Sequence, residues 1–60
     1  MKIIFNDRRD SQWLKEKYHM VKQPYMSKAL NFKLNTQLAI AIRMDALALK
    51  SAELVGNSKH

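Results

Sequence analysis

The sequence contains no cysteine, and that one absence removes disulfides, thiolate zinc sites, iron–sulfur ligation and thiol nucleophiles together. Only two histidines remain as nitrogen ligands. His19 and His60 are far apart in the chain, so neither HxxxH nor HExxH spacing exists to organise a metal, and no metal or cofactor is expected. A single glycine excludes the glycine-rich phosphate loops, and no GxxxxGK or GxSxG string occurs. Long apolar runs are also missing: the best candidate is broken by Arg43, Asp45 and Lys50, so a membrane span is not expected. The opening Met1-Lys-Ile-Ile-Phe5 runs at once into Asp7, Arg8, Arg9 and Asp10, without the apolar core or cleavage site of a signal peptide. A cytoplasmic location is the default expectation.

Acids are scarce, five against eleven lysines and arginines, for a formal net charge of +6. That charge is unevenly placed. Residues 1–34 hold eight of the basic side chains against three acids and all five aromatics, while residues 35–60 hold three against two and are mostly aliphatic. The chain therefore reads as a single domain with a basic, aromatic contact half (1–34) and an aliphatic packing half (35–60). Sixty residues bury only about 60% of the surface an unfolded chain exposes, and such domains usually need disulfides, a metal or a second subunit. With the first two excluded and 47% of residues apolar, a homodimer is expected.

The fold class expected is mainly α, with two or three helices. Asp10 or Ser11 caps a first helix, 11–22, that Pro24 stops. Its apolar stripe is Leu14, Tyr18 and Val21, widened by Trp13 and Met20. Arg8, Gln12, Lys15, His19 and Lys22 recur at steps of four and three on the other side, making one face nearly all cationic. Residues 2–5 form either a short strand or an apolar tether with Ile3 and Phe5 on one side. The segment from Tyr25 to Leu34 fits both periods; a short helix over 25–33 is favoured over a strand at 30–34. Asn35 or Thr36 caps a long helix, 36–55, closed by Gly56-Asn57 and about 30 Å long.

On that helix two apolar stripes stand nearly opposite each other, Leu38, Ile42 and Leu49 against Ile40, Leu47 and Leu54, with Arg43, Lys50 and Glu53 as a narrow polar arc. One stripe is expected to meet the chain's own core and the other a second copy, so all six residues are candidates for oligomerisation. Asp45 stands among the apolar groups. It has no second carboxylate within a helical turn, which leaves an ion pair or simple exposure ahead of acid catalysis.

Each reading of the middle segment is similar to part of a DNA-binding family. As a helix, Ala29, Phe32, Leu34, Ala39 and Ile42 match the apolar spacing of a helix-turn-helix with Lys33-Leu34-Asn35 as the turn, yet Leu38-Ala-Ile-Ala-Ile42 offers base edges almost no polar group. As a strand, Leu30-Asn-Phe-Lys-Leu34 before a capped helix resembles a ribbon-helix-helix repressor with Asn31 and Lys33 towards the major groove. The helix is then about two turns too long and the second helix is missing. Neither family is assigned.

The function expected is non-enzymatic binding. The leading expectation is a small regulatory protein that binds nucleic acid, DNA ahead of RNA, through Arg8, Arg9, Lys15, His19, Lys22, Lys28 and Lys33. The alternative is an inhibitor or adaptor, of the kind found on mobile elements, docking on an acidic protein surface with Trp13 and Tyr25 as contacts and Met20, Met26 and Met44 beside them. Attachment to an anionic membrane through the basic helix ranks below both.

Overall fold

The computed structural model describes residues 1–56. The elements run β1 (Lys2–Phe5), α1 (Arg8–Lys17), α2 (Gln23–Leu30), α3 (Gln37–Leu47) and β2 (Ala52–Val55). The architecture is three helices and one antiparallel strand pair, so the mainly α expectation with three helices holds.

The N-terminal segment is a strand because a partner exists for it. β1 pairs with β2 in the register Lys2↔Val55, Ile3↔Leu54, Ile4↔Glu53 and Phe5↔Ala52. One further rung follows, where Asn6 N–H donates to the Ser51 carbonyl at 3.1 Å. Alternation turns Ile3 into the core, and Phe5 and Ala52 pack against it from the same face.

α1 starts three residues earlier than expected. Asp7, not Asp10 or Ser11, is the cap, with its carboxylate accepting the Arg9 N–H at 2.9 Å. Asp10 is used elsewhere: it accepts the Ser51 N–H at 3.0 Å, tying α1 to the approach of β2. The helix also stops earlier, at Lys17, where the Tyr18 N–H closes on the Leu14 carbonyl. Pro24 therefore does not end α1. It sits in the first turn of α2, where its missing N–H costs nothing.

α2 ends in a motif that usually requires glycine. Lys33 N–H reaches back to the Lys28 carbonyl and Phe32 N–H to the Ala29 carbonyl, with Phe32 in the left-handed region at φ 61°. A non-glycine residue there costs about 1–2 kcal/mol. The Phe32 ring offsets this by lying 4.7 Å from the Arg43 guanidinium and against the core.

α3 begins as expected, with the Thr36 hydroxyl accepting the Ala39 N–H at 3.1 Å. It does not run to residue 55. The expected 36–55 helix is corrected to 11 residues, about 16 Å long, followed by a turn and β2. No glycine or proline forces the break; the pairing with β1 and the capture of Ser51 by Asp10 outweigh helical propensity. Gly56 accordingly follows a strand, not a helix, and the strand reading of 30–34 is not realised.

The buried core is Ile3, Leu14, Met26, Ala29, Ala39, Ile42 and Ala46, of which only Leu14 and Ile42 are both large and fully enclosed. The small alanines let α2 and α3 approach closely. Arg43, expected on the polar arc, is buried at 9% exposure. Its Nη1 donates to the carbonyls of Ala29 (3.1 Å) and Leu34 (2.6 Å), and its Nη2 to Asn35 Oδ1 (3.5 Å).

Removing the Ile42 side chain in Ile42→Ala is expected to lower stability by about 3 kcal/mol. Leu54→Ala, where the residue is 47% exposed, should lose about 1 kcal/mol or less. Urea denaturation of both variants checks the contrast. Arg43→Lys keeps the charge and loses the fork that reaches two carbonyls at once, and is expected to lose about 2 kcal/mol in the same measurement.

Candidate functional site

Most of the acids are committed to holding the fold. Asp7 caps α1 and pairs with Arg9 at 3.3 Å, and Asp10 holds Ser51. Asp45 receives the Tyr18 hydroxyl and Lys17 at 3.0 Å, and Glu53 accepts from Asn6 at 3.3 Å. Of the two roles left open for Asp45, ion pairing and simple exposure, the structure shows the ion pair, between α1 and α3. Among the described residues this leaves Lys2, Arg8, Lys15, Lys22, Lys28, Lys33 and Lys50 exposed with no carboxylate in ion-pair range.

Three of these converge. Two open depressions of about 400 and about 310 Å³ adjoin, sharing Lys2 and Asn31 in their walls. Lys33 lines the first and Lys15 the second, with Gln23 and Ser27 alongside. Lys2 comes from β1, Lys15 from α1 and Lys33 from the loop after α2. Among the described residues, no acidic side chain lines either depression. Asn31, in the shared wall, donates its amide to the Ser27 carbonyl at 2.7 Å.

The other expected contact residues are distributed differently. Arg8, Gln12 and Lys15 do share the outward face of α1 at spacings of four and three. His19 and Lys22 lie beyond the end of α1, so the continuous cationic face expected over 8–22 is cut short. His19 Nδ1 lies 3.3 Å from the Glu16 carbonyl, and Lys22 is the cap residue of α2. Arg9 is engaged with Asp7, and Lys28 is exposed on α2. Trp13 is 46% exposed, with the Lys17 ammonium 5.4 Å from its ring. Tyr25 is half-buried and its hydroxyl shares a hydrogen bond with that of Thr36, while Met26 is in the core.

Of the six aliphatic residues expected at an oligomer contact, Ile42 is fully buried and Leu49 packs on the chain's own core. Leu38, Ile40, Leu47 and Leu54 remain exposed. Lys2 was missed by sequence reasoning. The available signal was its position in a possible strand, on the side opposite Ile3 and Phe5.

Two groups have shifted ionisation. The hydrogen bond from Tyr18, then that from Lys17, holds the Asp45 carboxyl below its ordinary value. The same bond to Asp45, reinforced by desolvation, pushes the Tyr18 phenol up to about 12. Among the described residues no cluster of three His, Asp or Glu is placed to hold a metal, and no helix is long and apolar enough to cross a membrane.

No protein-family model matches the chain, and no curated protein or solved structure shows significant similarity to it.

Tyr18→Phe removes the hydroxyl that Asp45 accepts, and is expected to reduce stability by about 1 kcal/mol near neutral pH. Because the Asp45 value is depressed on folding, its contribution is present above 3.8 and fades as acid titrates the folded carboxylate. Because the Tyr18 value is raised, its contribution is present below 10.0 and fades as pH climbs through about 12. The gap between wild type and variant should therefore be flat at mid-range and close at both extremes, as read by denaturation across pH.

Proposed function

We propose that this chain is a non-enzymatic nucleic-acid-binding protein that grips the phosphate backbone through the groove of Lys2, Lys15 and Lys33, and acts as a dimer. The observation that carries the reading is that three lysines from separate elements line adjoining depressions to which the described residues contribute no carboxylate. Arg8, Lys22 and Lys28 extend the basic surface around it. The groove's cations are all lysines, point charges suited to phosphates, and none is the bidentate arginine fork that reads guanine. Recognition is accordingly backbone-directed, with weak base preference and DNA ahead of RNA as the first ligand. Gln23 and Asn31 supply amides for phosphate or sugar oxygens. Two copies carry a nominal +12, twice the charge of one. A regulatory role in the cytoplasm belongs to the same reading.

The alternative, an adaptor for an acidic protein surface, is favoured by Trp13, an exposed aromatic with a lysine over its ring. It differs in its signature. Such an adaptor binds one partner at fixed stoichiometry and ignores random DNA.

The test is binding to a random-sequence duplex across a salt series. Each phosphate neutralised contributes about 0.9 to the slope of log K against log salt. Lys2→Gln, Lys15→Gln and Lys33→Gln are each expected to reduce that slope by about one. Lys50→Gln, outside the groove, should leave it unchanged. Absence of binding at low salt, or groove variants with the wild-type slope, would overturn the reading.

A further inference from the structure

The second depression, of about 310 Å³, holds more than cations: Lys2 of β1 and Lys15 of α1 line it together with Ile3, Met26 and Leu30. The two lysines are exposed, Ile3 and Met26 are buried and Leu30 is half-buried. Cations therefore form its rim and aliphatic side chains its floor. α2 builds one wall, because Gln23, Met26 and Leu30, with Ser27 and Asn31 beside them, follow one another at steps of three and four on one helix side. Among the described residues, no aromatic ring and no carboxylate lines it.

An apolar floor does nothing for a phosphate, which is strongly hydrated and finds no partner there. It suits a ligand that is flat and weakly polar between two anionic groups. A duplex keeps its bases paired and stacked inside a convex cylinder, so it spans such a depression by its phosphates and leaves the floor wet. A single strand can splay one base out and lay it in the depression. The size agrees, since pockets that take small organic groups start at about 300 Å³ and combine apolar walls with a few polar groups.

We infer that this depression is a seat for one nucleoside, and that the ligand class of the groove is single-stranded nucleic acid. The base rests on Ile3, Met26 and Leu30, the phosphates on either side of it meet Lys15 and Lys2, and the strand runs on past Asn31 to Lys33. The inference rests on the nucleic-acid reading above and narrows its ligand. Aliphatic contact is indifferent to base identity, which agrees with weak base preference. The other exposed place for a base is Trp13, and its charge does not favour a polyanion. Arg9 and Lys17, one turn to either side of it, are each paired with a carboxylate, and Glu16 is exposed beside them.

Fluorescence anisotropy of three labelled DNA probes across a salt series tests this: an oligothymidylate of about 16 nucleotides, the same length of abasic strand, and a duplex of that length. The oligothymidylate is expected to bind at least about fivefold more tightly than the abasic strand, with the same salt slope, because both carry the same phosphates. It should also bind more tightly than the duplex, against the duplex's higher charge density. Ser27→Leu, at an exposed position in the wall, fills the depression and should bring the intact and abasic strands to within about twofold, with an unchanged circular dichroism spectrum. Trp13→Ala should leave their difference as in wild type. Equal binding of intact and abasic strands, preference for the duplex, a Ser27→Leu variant that still discriminates, or loss of discrimination in Trp13→Ala each overturns the nucleoside seat. In all four cases the lysine groove still stands if its glutamine variants lower the salt slope. Absence of binding to all three probes at low salt overturns both.

Discussion

The guanidinium of Arg43 joins the end of α2 to the start of α3, and the rest of the arrangement depends on that junction. It is a buried charge with no carboxylate against it, which is costly unless every donor finds an oxygen. Here two of the three oxygens are backbone carbonyls. Ala29 lies at the C-terminal end of α2, where carbonyls lack intrahelical partners and the helix dipole is negative, so a cation is favoured there. The Leu34 carbonyl and Asn35 side chain add two further acceptors from the loop. The Phe32 ring beneath the guanidinium then sustains a left-handed residue that glycine would ordinarily supply. The same turn presents Lys33 and Asn31 to the groove. One internal arginine thus fixes a piece of surface that it does not itself reach.

What could be read in advance follows from which forces were local. The Thr36 cap, the start of α3, the helical middle segment and the strand option for residues 2–5 all rest on neighbours within a few positions, and all were legible. The stop of α3 at Leu47 was not. Ala52-Glu-Leu-Val55 has poor intrinsic strand preference, and only the distant β1 and Asp10 make it a strand. Arg43 was placed with solvent because its neighbours Lys50 and Glu53 were projected onto one continuous helix. Once β2 leaves that helix, the arc on which all three stood no longer exists. Half of the groove was visible as cationic residues; that Lys2 joins Lys15 and Lys33 is a fact of topology, which spacing along the chain does not encode.

The strand pair also changes how so small a chain holds together. A two-stranded ribbon is marginal by itself, but here one face is covered by the core through Ile3, Phe5 and Ala52. The ribbon in turn brings the first and last described segments side by side, closing the three helices into a loop of contacts. Leu54, directly opposite the buried Ile3, remains half-exposed, so the core ends at β1. The thinness of that core follows from alanine at three of its seven positions: alanine lets the helix backbones approach, and buries little area for doing so.

Charge is divided between two tasks. Asp7 and Asp45 are ion-paired and Asp10 and Glu53 accept hydrogen bonds inside the fold, and none of the four lines the groove. The unpaired lysines support no element. Their mutual repulsion works against compactness, and nothing in the packing of the described residues requires them. A chain selected only to fold would do as well with neutral residues at Lys2, Lys15 and Lys33. Under the proposed reading, a polyanion bound along the groove offsets the electrostatic cost of holding these three cations near one another.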